Sequence, residues 1–442
     1  MRTIRTAVAG VFAVCFAGSV MGQDAARPSA TWQVQKYDIE AAIPAGAARS
    51  IPIRAKLSLK NVSPRPATTL TLRISPSAEI TAVKLNDAIA DFSKNEEKIN
   101  SAISLQRISL RPGSIASGGS LTAVVEYKLN LKENSGLASL TENGVHLLPL
   151  SFWYPTPNSW FFTQGADRAP MRLKVNSAAG FSVTSSGAET GGAFEDKTLA
   201  QPFFVAGSWD AAALSGVSVL SPKGIGPDGQ KRAAEVAALF SDARSFMAEF
   251  LGKAPDAPLR IVATRRGAGF TGSGTVLLDE AVFRRSGVDS AAVMNIAEAA
   301  ARLWLGNSIA ISGDGYGVIS EGMARYLASQ FIESKFGKDV ADIERLRQRN
   351  SYASVSKRDA PMSTVSPLDD YYYPEVANKG AMTWRILAKR LGANEFWAIV
   401  RANMQDGDLS ASELRSAFVS QKPLVDALFD QVTEMNLLVG LP

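Results

Sequence analysis

The hydrophobic period changes near the middle of this chain, and few folds accommodate both halves. From about residue 30 to 215, apolar and polar residues alternate. Ile53, Ala55, Leu57 and Leu59 interleave with Arg54, Lys56, Ser58 and Lys60, and Leu121, Ala123, Val125, Tyr127 and Leu129 repeat the pattern. A period of two belongs to a strand with one buried face. Turn-forming clusters at 62–66, 111–119 and 185–192 separate the runs, so this half reads as short antiparallel strands in a sandwich or saddle. SPKG at 221–224 and the GPDG after it read as a linker. Helical periodicity then runs from Gln230 to Leu251. Short strands are expected at 259–265 and 275–280, and a polar loop with three tyrosines at about 349–374. Helices are expected over Lys379–Leu391, Asn394–Met404 and the segments SASELRSAF and PLVDALFDQV. The class is α+β, with a β-rich domain over 30–220 and a mainly α-helical one over 225–442, whose helical tail starts near 394.

The N-terminus has Arg2 and Arg5 before an apolar run from Ala7 to Met21 that ends in small residues. This is the pattern of a secretory signal over 1–22, cut near Gln23. The only cysteine, Cys15, falls inside it, and Val14 before it is too large for a lipid-anchor site. The mature chain would then be cysteine-free, so a periplasmic or secreted protein stabilised by its core is expected. No later stretch supplies the ~18 apolar residues of a membrane span. Net charge is +5, of which the signal holds Arg2 and Arg5, and there is no dense Lys/Arg run. No nucleic-acid partner is therefore expected. Oligomeric state is left open.

The chemistry centres on 295–326. NIAEAAARLWLGN at 295–307 reads as a helix with Val293, Ala297, Ala300 and Trp304 on one side and Asn295, Glu298 and Arg302 on the other. A second helix would open at Ser320 as N-cap, repeat through Met323, Leu327 and Phe331, and stop at Gly337. Glu298 precedes Arg302 by four residues, the favourable order for a helical ion pair.

Trp304-Leu305-Gly306-Asn307 and Glu321-Gly322-Met323-Ala324 resemble two signature blocks of the gluzincin aminopeptidases, the membrane alanyl aminopeptidase and leukotriene-hydrolase group. The resemblance implies a β-saddle followed by a thermolysin-like helical domain, with zinc as the family cofactor. In that frame Glu298 and Arg302 stand at the two His-ligand positions, Ala299 at the general base and Glu321 at the third ligand. The loop that binds a substrate amino group in the family falls at 267–280, with Thr271 at its Glu. The transition-state tyrosine falls on Ala377. His146 is the only histidine, so a zinc site with two imidazoles and a carboxylate cannot be assembled, and no metal is expected.

The expectation for the three charged residues is an Arg302 guanidinium between Glu298 and Glu321, a cation in place of the metal, against the alternative that all three are solvated. Gly272, Gly274 and Tyr373 are possible cleft residues. His146, in an apolar strand, reads as structural, and the aromatic run through Phe152, Trp153, Tyr154, Trp160, Phe161 and Phe162 as packing. No G-x-S-x-G elbow is present. The reading is an exported pseudo-peptidase that binds a peptide or protein partner without catalysis. The alternatives are a hydrolase using unrelated residues, residual metallopeptidase activity and an envelope scaffold.

Overall fold

The computed structural model describes residues 30–430 except 47, 102, 158–167 and 359. The signal segment and Trp160, Phe161 and Phe162 lie outside the described residues.

The alternating runs form one eight-stranded sheet. Its order is Ala188–Thr190, Ala193–Ala200, Ala169–Ser177, Trp32–Ile43, Ser50–Asn61, Ser120–Asn130, Ala78–Leu85 and Ala88–Ile89. Ile53, Ala55, Leu57 and Leu59 sit opposite Tyr127, Val125, Ala123 and Leu121, and all eight are buried. A one-residue slip is excluded, because it would turn every apolar side chain to water. The pairing is antiparallel except between Trp32–Ile43 and Ala169–Ser177, which run parallel. A three-stranded sheet made of Leu70–Ile74, Ser104–Leu110 and Phe92–Lys98 puts Leu70, Leu72, Ile74 and Ile108 into the same core, completing a sandwich. A third sheet joins Ser182–Thr184, Phe204–Gly207, Gly144–Leu147 and Ala138–Thr141.

A five-stranded sheet bridges the halves. Val217–Leu220 pairs in parallel with Leu259–Val262, and Arg260–Thr264 with Thr275–Asp279. Helix α1 (Pro227–Leu251) starts inside the stretch that reads as linker, with Pro227 at its first position. Proline's missing N–H costs nothing there.

Helix α2 covers Ser290–Ala301 and is capped by Asp289, whose carboxylate accepts from Ala292 N. It stops six residues short of the expected Asn307, because the chain turns over at Arg302 to seat Trp304, whose indole donates to Lys253 O at 3.1 Å. Ser320 does not cap the next helix. It lies inside a π-helical turn at Val318–Met323 that leads into α3 (Ala324–Phe336), and Gly337 ends that helix. Helix α4 (Lys338–Val355) occupies the start of the expected polar loop. Its buried stripe includes Glu344 and Gln348, so a count of apolar residues alone misses it. A second π-turn, Pro374–Lys379, leads into α5 (Gly380–Leu391). Helices α6 (Ala393–Ala402), α7 (Ala411–Ala417) and α8 (Lys422–Asp430) close the described chain. No described helix is long and apolar enough to cross a membrane.

Candidate functional site

Between the β and helical halves lies a cleft of about 550 Å³. The glycine-rich loop from Gly267 to Ser273 forms one wall, Leu148–Leu150 and Arg168 a second, and Asp369, Asp370, Tyr372 and Tyr373 a third, with Arg302 and Glu321 at its base. Thr271 and Gly272 are on the wall. Gly274 sits behind it, at the turn between Thr271–Gly272 and Thr275–Asp279. Its φ is +77°, and a Cβ there would lie 2.4 Å from Pro258 O. This approach, not contact with a ligand, requires the glycine.

The base of the cleft is a buried ionic network. α2 carries Glu298, and Arg302 follows one turn on as the residue that caps its C-terminus. The second helical segment carries Glu321 and, one turn on, Arg325. Partners are exchanged between the segments: Arg302 Nη2 donates to Glu321, and Arg325 Nε donates to Glu298 at 2.6 Å. Arg302 Nη2 also lies 3.3 Å from Glu298, so its guanidinium stands between the two carboxylates. Its other contacts are Thr271 Oγ1, which accepts from Nη1, and Ser320 O at 3.4 Å. Arg325 donates further to Asn378 Oδ1 and Tyr373 Oη, with its guanidinium 4.5 Å from the Tyr373 ring centre. The Tyr373 hydroxyl in turn donates to Glu298 at 3.1 Å.

The electrostatics follow from this geometry. Glu298 is 1% exposed. Burial pushes its carboxyl up, but Arg325 and Arg302 outweigh burial and hold it below the usual value, so it is ionised. Burial works against the Arg302 charge, and Glu321 and Glu298 more than restore it. Tyr373 is 40% exposed as a whole, but its hydroxyl lies within the network, where burial and the Glu298 charge raise the phenol, which stays protonated as a donor.

The positions that the resemblance assigns to proton transfer do not face the cleft. Ala299 and Ala377 are 2% and 0% exposed and packed in the helical interior. His146 is buried in the β half. Its Nε2 lies 3.2 and 3.1 Å from the carbonyls of Ser135 and Gly136, and burial pulls its pKa below the usual value, as expected of a structural histidine.

The zinc that the resemblance implies would need donor atoms around one point. Here Glu298 and Glu321 point at a guanidinium, a permanent cation with no lone pair to offer. The residues present do not fit the metal.

Arg325 and Asn378 were not among the candidates from sequence. The signal for Arg325 was there, since Glu321-x-x-x-Arg325 repeats the spacing of Glu298-x-x-x-Arg302. Asn378 carries no local signal, because only the approach of the second π-turn brings it to α3.

No protein-family model and no curated protein matches the sequence. Solved structures do. Native yeast leukotriene A4 hydrolase superposes with a TM-score of 0.69 at 14% identity, over 90% of this chain and 66% of that one. The chain thus spans about two thirds of that hydrolase. The M1 zinc metallopeptidase from Deinococcus radiodurans gives 0.66 at 13% identity, over 92% of this chain and 95% of that one. A variant of the latter bound to a Tyr-Ser-Ala substrate gives 0.63 at 15%, over 91% and 95%. At such identities the architecture is what is shared: this chain has the fold of the gluzincin zinc aminopeptidases.

Proposed function

We propose that the protein is an exported, two-domain pseudo-peptidase that holds a short peptide, or a peptide segment of a partner protein, in the cleft without cleaving it. The observation that supports this reading is Arg302 held between Glu298 and Glu321, at the positions where the resemblance has zinc ligands. A hydrated zinc lowers the pKa of its water and supplies a nucleophile. A guanidinium does neither. With methyl groups at 299 and 377, no group at those positions moves a proton or meets an oxyanion.

The cleft keeps about 550 Å³ of space and mixed lining. Arg168, Asp369 and Asp370 offer charge to a peptide, while Leu148 and Phe270 offer apolar surface. The Deinococcus radiodurans variant was solved with Tyr-Ser-Ala, and a ligand of that class is the one proposed here.

The test combines metal content with binding. Untagged mature protein, purified without chelators, should contain near-zero zinc by mass spectrometry. Short peptides such as Tyr-Ser-Ala should raise its melting temperature, and a Thr271→Trp variant, which fills the cleft, should lose that response. One zinc per chain that disappears in Glu321→Ala would overturn the non-catalytic reading. No thermal response to any peptide would turn the assignment to a scaffold.

A further inference from the structure

A second groove, sharing no residue with the cleft, runs between α4 and α5 over α3, with a volume of about 600 Å³. Two helix faces form its sides. α4 contributes Lys338, Arg345 and Arg349, and α5 contributes Arg385, Lys389 and Arg390. The carboxylates nearby are already engaged. Asp342 takes Lys338 and Arg345, the latter at 2.8 Å, and Glu333 takes Arg345. The Lys338 and Arg345 hydrogen bonds hold the Asp342 carboxyl down at about 2. Among the described residues, Arg349, Arg385, Lys389 and Arg390 form no ion pair within 4 Å, the nearby Asp342 and Glu333 being taken by Lys338 and Arg345.

Lys389 and Arg390 lie in the last turn of α5, where the helix dipole favours cations. Arg349 and Arg385 are in mid-helix and have no such role. Arg385 is half-buried, and burial followed by the Arg345 charge lowers its pKa, Asp342 and Glu333 offsetting only part of this. Between the charged rims the groove is apolar, with Met382 and Ile386 below and Leu346 at 50% exposure beside them.

We infer that this groove is a docking site for an acidic amphipathic segment of a partner protein, with carboxylates on the Arg349, Arg385 and Lys389 rims and an apolar row on Leu346, Met382 and Ile386. Its sides suit a short helix: Lys338 to Arg349 spans roughly 16 Å at 1.5 Å per residue, three turns. Charge complementarity selects an acidic ligand, and the apolar floor selects a peptide. A phosphate backbone would leave Leu346, Met382 and Ile386 wet.

The experiment uses the mature chain and a fluorescein-labelled peptide with Glu and Leu at helical spacing, read by anisotropy. Its control is the same peptide with Gln for every Glu. The acidic peptide should bind at least about tenfold more tightly than the Gln form, and its affinity should fall with salt. Arg385→Glu with Lys389→Glu should weaken it about tenfold or more. Leu346→Gln, which keeps every charge, should weaken it several-fold, and the cleft variant Thr271→Trp should leave it unchanged. Unchanged melting temperatures establish that these surface variants fold. Equal affinity for both peptides, or wild-type affinity in the double variant, would overturn the assignment. So would binding to phosphatidylglycerol vesicles without binding to the peptide, which would make the groove a membrane contact.

Discussion

At the residue scale, two Glu-x-x-x-Arg pairs exchange partners, and the two arginines are not equivalent. Arg325 holds the buried Glu298 at 2.6 Å, whereas Arg302 lies 3.3 Å from it and serves mainly Glu321, which is 19% exposed. Arg302→Met leaves Glu298 its better partner, so a loss of about 1–3 kcal/mol is expected. Arg325→Met leaves Glu298 with the longer contact and also strands Asn378 and Tyr373, so about 3–5 kcal/mol is expected. Urea unfolding measures both, and the reverse order would make Arg302 the main partner of the buried carboxylate. The pH response has a definite sign. The Glu298 carboxyl lies below its ordinary 4.5, so its contribution is full above that value and is lost as pH falls through the lower folded value. Arg325→Met removes the positive charge that does most to hold it down. The variant should therefore lose stability at a higher pH than wild type, in denaturation curves collected from neutral pH into acid.

At the element scale, the network depends on two π-helical turns packed against each other. Gly322 is where they meet: a Cβ there would lie 2.6 Å from Val376 O and 3.0 Å from the Gly380 Cα. Both obstacles are backbone, which yields poorly. Gly322→Ala should therefore destabilise by about 1–3 kcal/mol, and because the same turns carry Glu321 and position Tyr373, it should also loosen the cleft. Thermal unfolding together with the Tyr-Ser-Ala response would show both effects. A Gly322→Ala protein as stable as wild type would mean that the turns move apart readily. Ser320, which by sequence suits a cap, illustrates the limit of local reading. Its hydroxyl is buried without a hydrogen-bond partner among the described residues, because the helix starts earlier and wider than an N-cap rule assumes.

For the whole molecule, the halves are held by more than a covalent linker. Leu148, Phe203 and Val205 of the β half share a cluster with Val262 and Leu277. Arg260 donates to the carbonyls of Ser185 and Gly187 at 3.1 and 2.6 Å, and Asn100 Nδ2 donates to Leu368 O at 2.8 Å. The parallel pairing of Val217–Leu220 with Leu259–Val262 spans the stretch at 221–224 that reads as a linker. A fragment beginning at residue 225 would expose that strand edge and the apolar side chains beneath it. It is expected to aggregate when expressed alone, as size-exclusion chromatography would reveal, whereas the intact chain should unfold in one transition.

The sequence by itself determined what depends on neighbours along the chain. The period of two set the strands and which of their faces is buried, the period of 3.6 set most of the helices, and a single histidine ruled out a two-imidazole zinc site. It also put Glu298 and Arg302 one turn apart on the same face, because an i, i+4 spacing fixes a helix face whatever surrounds it. What required the tertiary structure was everything set by approach between distant segments. Such cases are the exchange of partners with Arg325, the Tyr373 hydroxyl on Glu298, the wide turns around Gly322 and Gly380, and the strand pairing that joins the halves. A contact between residues 298 and 373 depends on how the whole core packs, and no local period encodes it.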